Sequence, residues 1–475
     1  MKKINFKNNS YFILLVMLFG LNISCTDDFL DTEPSTSLSD DQVFESVGTA
    51  EAALIGAYDQ LSAYVAEGLY FPMMADIMGE DIMINSVDNW NWFVPVYKLN
   101  MLPNYQYATN PWVQGYKIIY DANNIIEKAN SIPDATEDQI NNLEGQAKAI
   151  RAFTMLKLAQ IFGEAYSANP TALSIMNVNR VLEIEDEDLP RATNTEIYSQ
   201  IVNDLLAAIE LLDESSDKGF FDKKAAQAIL ARAYLDMEEF AKARDMAKLA
   251  YEGVELMSLN DMFTGFNQRN SETIFTVAYT PDDNNIYLSI PSFYWPEAGY
   301  SSIRANDEFV DKFEIGDVRS QFFLRYEDID PNRDLVLKFM HYQSVGNAEK
   351  ISIRASEMYL IEAECEAELG NYTIAQEALF KTQERAIANA AQSEATGQEL
   401  IDEILLERRK ELFGEGFRWN DIKRKSLNLV REGNHWAKFN FGPTDADYYR
   451  LTFPIPQSEI DANDKISQNE QNTGY

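Results

Sequence analysis

Cysteine and histidine are nearly absent from this 475-residue chain, which has two of each: Cys25, Cys365, His341 and His435. Two thiols cannot build a disulfide framework, and two imidazoles cannot build a His-rich zinc site. Positive charge is short as well. Forty Lys plus Arg face 76 Asp plus Glu, for a formal charge of -36. A surface that acidic repels phosphate backbones, which argues against nucleic acid as a partner. Long apolar runs are missing, apart from one near the start between Tyr11 and Leu21. It is too short to cross a bilayer, which takes about 20 residues, so a polytopic membrane protein is excluded. What the chain has in quantity is rings: 27 Phe, 24 Tyr and 6 Trp, or 12% of residues. Its 46% hydrophobic and 24% charged residues are those of a folded protein with a large core.

Lys2, Lys3 and Lys7 precede the apolar run, the layout of a secretory leader, here residues 1–24. Asn22-Ile23-Ser24-Cys25 resembles a bacterial lipobox, although Asn22 stands where an apolar residue is usual. Cys25 is therefore the expected lipidation site, and a multiply acylated cysteine anchors stably where a single chain is marginal. Cys365, among Glu362, Ala363, Glu364 and Glu366 in a helical pattern, reads as a small buried hydrophobe rather than a nucleophile.

Helical periodicity dominates the rest. Ser39-x-x-Gln42, Thr136-x-x-Gln139 and Thr193-x-x-Glu196 read as capping boxes, opening helices at about 42–65, 137–162 and 194–213. Trp112, Tyr116, Ile119, Asn123 and Ile126 predict another over 111–130. Leu230, Ala231, Tyr234, Phe240, Ala243 and Ala250 occupy the large and small packing positions of a tetratricopeptide-like helix pair. Ala363, Gly370, Tyr372 and Ala375 predict a second pair, with a turn at Gly370-Asn371. Such pairs must stack on neighbours to bury their faces. Residues 70–110 and 260–350 change character: they are rich in Asn, Pro, Gly and rings, with short β-like runs such as 273–278. Long insertions on a rigid scaffold are where binding sites concentrate. The expectation is a mainly α, tetratricopeptide-like scaffold whose loop-rich, partly β insertions form the ligand face. An N-terminal helical part, 25–225, and a C-terminal part, 226–475, make one compact unit.

The acidic run Glu183 to Asp188 matches no calcium-loop spacing and reads as a solvated loop. Glu407, Arg408, Glu411, Arg418, Asp421 and Arg424 read as a structural charge network with intrahelical pairs, not as acid–base machinery. No metal or cofactor is expected. The rings carry the binding expectation. Asp88-Asn89-Trp90-Asn91-Trp92-Phe93 alternates rings with amides, so Trp90 and Trp92 share one side if the segment is extended. Ser292-Phe293-Tyr294-Trp295-Pro296, with Tyr287 and Tyr300 nearby, is a second aromatic loop. A pyranose presents a face of C–H bonds that a flat ring can cover. The predicted platforms are Trp90, Trp92, Tyr294, Trp295 and Tyr300; Asn89, Asn91, Arg304 and Asn306 are the predicted hydroxyl partners. Trp112, Trp419 and Trp436 are expected in the core or as fold markers.

Ordered landmarks then tie the chain to a family. They run from Cys25-Thr-Asp-Asp-Phe-Leu-Asp31 through Glu144-Gly-Gln-Ala-Lys-Ala-Ile-Arg-Ala-Phe153 and Pro190-Arg-Ala-Thr193. They continue with Ile353-Arg354-Ala-Ser-Glu357, Glu407-Arg-Arg-Lys-Glu411-Leu-Phe-Gly-Glu415-Gly-Phe-Arg-Trp-Asn-Asp421, Pro454-Ile-Pro456 and a closing Gly474-Tyr475. In order and spacing the chain resembles the SusD/RagB family of nutrient-binding outer-membrane lipoproteins. The resemblance implies a surface-exposed, lipid-anchored protein that captures oligo- or polysaccharide and hands it to a SusC-like TonB-dependent transporter, without catalysis. A peptide-binding, RagB-like role is the alternative. The family's ligand platforms follow no motif, so the ring assignments rest on this sequence alone.

Overall fold

The computed structural model of the chain describes residues 43–183, 185–264, 266–325, 334–340 and 346–475. The leader, Cys25, the Ser39 cap and His341 lie outside the described residues.

The fold is mainly α. Its larger helices in chain order are α1 (Val47–Ser62), α2 (Tyr70–Ile77), α3 (Gln106–Lys128), α4 (Glu137–Phe162), α5 (Asn194–Leu211), α6 (Lys223–Asp236) and α7 (Phe240–Tyr251). After a long insertion come α8 (Ala355–Glu368), α9 (Tyr372–Ala386), α10 (Gly397–Glu411) and α11 (Arg418–Arg424). The two capping boxes among the described residues form as expected. The Thr136 and Thr193 hydroxyls accept from the Gln139 and Glu196 amides, and those side chains reach back to the cap amides. Each reciprocal pair satisfies two otherwise orphaned donors and sets the first residue of α4 and α5. Gly370, at φ 80°, makes the predicted turn between α8 and α9.

α1, expected over about 42–65, spans only Val47–Ser62 and is capped by the Ser46 hydroxyl, which accepts from the Thr49 amide; two further boundaries also differ from expectation. α3 begins at Gln106, before Pro111, because burial of Tyr107, Ala108 and Trp112 keeps that first stretch helical despite the missing proline amide. The loop expected over 70–110 contains α2, whose apolar run Tyr70-Phe-Pro-Met-Met is buried nearly all round rather than on one face.

The helices stack in one array: α1 on α3, α3 on α4, α4 on α5, α5 on α6, α6 on α7, α7 on α8, and α8 on both α9 and α10. Small residues at the contacts, Ala231, Ala243 and Ala250, are fully buried, as close approach of helix pairs requires. Cys365 is likewise buried within α8 and carries a free thiol.

The insertion between α7 and α8 is pinched at its base. Strand Thr273–Val277 pairs antiparallel with strand Lys350–Arg354, whose last residue leads straight into α8. A second ladder ties the insertion to the early part of the chain: Ile82–Ile84 pairs antiparallel with Ile303–Ala305, in register Ile84 with Ile303. These short strands are buried on both faces and carry no alternating pattern.

Charged side chains lock the base of the insertion. Arg354 bonds Glu272 (2.6 Å), Glu411 (2.6 Å) and Glu415 (2.7 Å), while Arg319 bonds Asp317, Glu407 and Glu411. Arg385 joins through Glu272 at 2.8 Å and through Glu411. Burial alone would push the Glu411 carboxyl up, but Arg385, Arg354 and Arg319 together hold it well below the usual carboxylate range. The network is structural, as expected, but its partners are not. The pairing predicted among Glu407, Arg408 and Glu411 gives way to bonds between elements: Arg408 reaches Asp421 at 2.9 Å and Arg424 reaches Glu364 at 2.5 Å, while Arg424 also pairs with Asp421 within α11.

Candidate functional site

The ladder between Ile82–Ile84 and Ile303–Ala305 decides where the aromatic loops meet. Its last rung extends through the Asn85 amide, which donates to the Ser302 carbonyl at 2.7 Å. The strands are antiparallel, so the chain leaving at Asn85 and the chain arriving at Ser302 emerge at the same end. Both ring-bearing loops therefore sit side by side.

The first loop is built by its own amides. Asn85 Oδ1 accepts from the Val87 and Asp88 amides, Asn89 Nδ2 donates to the Asn85 carbonyl, and Asn89 Oδ1 accepts from the Asn91 amide. These side-chain-to-backbone bonds are turn chemistry. The loop is consequently not extended. Trp90, Asn91 and Phe93 all lie in the left-handed region, at φ 53°, 61° and 54°, which side chains such as Trp and Phe rarely adopt. Phe93 pins the turn: it is buried against Tyr70, Tyr107 and Phe293 at 5.1–5.6 Å, and its amide donates to the Tyr107 hydroxyl at 2.6 Å.

The second loop closes on Ser292, whose carbonyl accepts from the Ser301 amide and whose hydroxyl accepts from the Tyr300 amide. Gly299 is required here, since a Cβ would stand 2.1 Å from Ser292 Oγ. That closure aims Tyr300 at the first loop. Its ring lies 6.2 Å from Trp90, 5.9 Å from Trp92, 6.5 Å from Tyr287 and 5.1 Å from the buried Phe293 beneath. Trp92 stands edge-on to Phe293 at 5.8 Å. Trp90 remains 68% exposed and Tyr287 54% exposed, flanked by Val87 at 75% and Ile286 at 58%. The result is an open shelf of four rings on a buried aromatic base. Such an apolar group, uncovered, marks an interaction surface.

The structure brings Trp90, Trp92 and Tyr300 together, but by a left-handed turn and not by strand alternation. Trp295 is half-buried at the end of the turn 290–294 and makes no ring contact with these residues. Asn91 is exposed at the crest. Four predicted contacts leave the set. Tyr294 is fully buried with its ring against Phe339 at 5.0 Å, so it has no face for a ligand. Arg304 is buried and folds back to the Ser301 carbonyl and hydroxyl and the Ile303 carbonyl, strapping its own loop. Asn306 is buried as the cap of a short helix and bonds Asn434. Asn89 is spent on the turn.

Trp112 and Trp419 are core residues, as expected. Trp436 is not: it is 36% exposed, its indole N–H donates to the Ile84 carbonyl at 2.6 Å, and it lies between Tyr97 and the Lys98 ammonium. Tyr287, Val87 and Ile286 are the shelf residues that sequence reasoning left out of the site. Their signal is an apolar residue inside an Asn-rich turn, where nothing in a core would call for it. Two cavities, of about 450 Å³ beside Lys423, Tyr448 and Asn472 and about 280 Å³ beside Tyr58 and Phe220, lie apart from the shelf. Among the described residues no cluster of metal ligands occurs and no helix is long and apolar enough to cross a membrane.

A stacked-hairpin α scaffold bearing an aromatic shelf on pinned loops defines the class. Residues 331–475 match the SusD family, and residues 28–235 match the family described as starch-binding associating with outer membrane. The chain belongs to the SusD-like family. It is 24% identical to SusD-like protein P25 of Formosa agariphila, over 98% of this chain and 99% of that protein. Among solved structures, a SusD superfamily protein from Bacteroides thetaiotaomicron superposes with a TM-score of 0.83 at 26% identity, covering 90% of this chain and 99% of the other. A SusD-like carbohydrate binding protein from Bacteroides vulgatus gives 0.79 at 26% identity, covering 90% and 98%.

Proposed function

We propose that this chain is a lipid-anchored, surface-exposed glycan-binding protein of the outer membrane that passes oligo- or polysaccharide to a SusC-like TonB-dependent transporter. The observation that carries the reading is the open shelf of Trp90, Trp92, Tyr287 and Tyr300, presented by two loops pinned through Asn85, Asn89, Phe93 and Ser292. Support comes from the starch-binding description of the matched family and from the carbohydrate-binding relative of the same fold. A ring stacked on a pyranose removes on the order of 80 Å² of apolar surface from water, which contributes about 2 kcal/mol. Three or four such contacts, less the cost of association, give roughly micromolar to millimolar affinity. That range suits a protein that must release its cargo. An open shelf of ring faces is suited to holding a glycan.

Retention of purified protein in gels containing plant, algal and microbial polysaccharides, with product analysis of the same mixtures, tests the reading. Retardation without product is the expected result. Product formation would make the protein an enzyme, and binding confined to peptides would move it to the RagB-like role.

A further inference from the structure

The shelf's electrical surroundings carry a conclusion about which glycans it takes. From 64 to 97, and again from 270 to 303, the chain contains no Lys or Arg. These two stretches supply every ring of the shelf and the loops that frame it. Arg304, the first cation after the second stretch, is turned inward onto Ser301 and Ile303. Exposed carboxylates do flank the rings. Asp88 is two residues from Trp90 and Glu297 is three from Tyr300. Consecutive Cα atoms are about 3.8 Å apart, which puts Asp88 within about 8 Å of Trp90 along the chain, close to one screening length in physiological salt. Behind them stands the whole-chain charge of -36.

We infer that the shelf selects uncharged glycans and rejects sulfated or uronate-bearing ones. The inference rests on the glycan-binding reading above and narrows it. An anionic sugar on these rings would meet carboxylates at the rim and, among the described residues of the two loops, no ammonium or guanidinium aimed at it. Recognition of sulfate or carboxylate depends on charge-assisted donors, usually Arg, in fixed geometry. Here the ring faces supply attraction that is indifferent to charge, and the rim supplies a penalty for negative charge alone, which is how discrimination by repulsion operates.

The test is a matched comparison: neutral β-glucan, mannan and xylan, carboxymethylated and sulfated derivatives of each at equal chain length, and natural uronate and sulfated polysaccharides. Binding is read by calorimetry at low and high salt. The expected result is that at least one neutral polymer binds, its anionic derivative binds at least about tenfold more weakly at low salt, and the gap narrows as salt rises. The Asp88→Asn, Glu297→Gln double variant should narrow the same gap at low salt. An anionic polymer that binds as well as or better than every neutral one overturns the selectivity while leaving the glycan-binding reading intact. A gap that ignores both salt and the double variant overturns the electrostatic cause. Binding of none of the polymers, neutral or anionic, overturns the glycan-binding reading and this inference with it.

Discussion

Replacing Trp90 by Ala should separate ligand binding from folding more cleanly than any other single change in the shelf. The indole is 68% exposed, and Tyr300, at 6.2 Å, is its only ring neighbour among the described residues. Little apolar area is buried by it in the free protein, so stability should shift by no more than about 0.5 kcal/mol. With a glycan bound, the same ring would cover on the order of 80 Å², or about 2 kcal/mol at 25 cal/mol per Å². Since 1.4 kcal/mol is tenfold in affinity, the dissociation constant should rise about 30-fold. Paired measurements, calorimetric titration with a bound glycan and chemical denaturation without it, read the two numbers independently. Unchanged affinity would refute the platform role. A fall in stability of about 2 kcal/mol or more would show that Trp90 is a packing residue after all.

Three further outcomes follow from the structure. Tyr294 is fully buried and its hydroxyl has no hydrogen-bond partner among the described residues, so Tyr294→Phe should leave glycan affinity unchanged and stability equal or higher by up to about 1 kcal/mol in urea melts. Arg354→Met strips the shared cation from Glu272, Glu411 and Glu415, and a loss of roughly 3–5 kcal/mol should appear in the same melts. Asp76 is buried against the Gly416 amide, and burial pushes its carboxyl up to about 8, well above the usual value of 3.8. The folded form therefore keeps its proton where the unfolded chain has lost it, and this group lowers stability progressively as pH rises from about 4 to about 8. Asp76→Asn should remove that slope, with a gain in melting temperature that grows with pH across this window; an equal gain at pH 4 and pH 8 would contradict the assignment.

What could be read in advance tracks how local the physics is. Capping at Thr136 and Thr193, the small residues 231, 243 and 250, and the turn at Gly370 are set by residues within a few positions of one another. All were legible. The rings of the two loops were also legible as candidates, because exposed Trp and Tyr among Asn and Pro fit no core. Their placement was not. It depends on three rungs between Ile82–Ile84 and Ile303–Ala305, segments too short for a period and far apart in the chain. Nor did the alternation of Asn89, Trp90, Asn91 and Trp92 disclose that Asn85 and Asn89 would turn the backbone left-handed. Glu411 shows the same limit: its charge was visible, but helical spacing suggested Arg408 one turn away as its partner, while in the fold Arg319, Arg354 and Arg385 reach it from other elements.

The base of the insertion also bears on how such a protein changes over evolutionary time. Because the two strands flanking it are fastened to each other and to the helices by Arg354, and Arg319 and Lys338 add bonds to Glu407, Glu411 and Glu415, the exposed loop tips beyond these ties are left little part in holding the array together. Substitutions and length changes there are tolerated so long as the fastening survives. The outer segment then behaves as an exchangeable cassette, and lineages meeting a new polysaccharide can rewrite it while inheriting the frame unaltered.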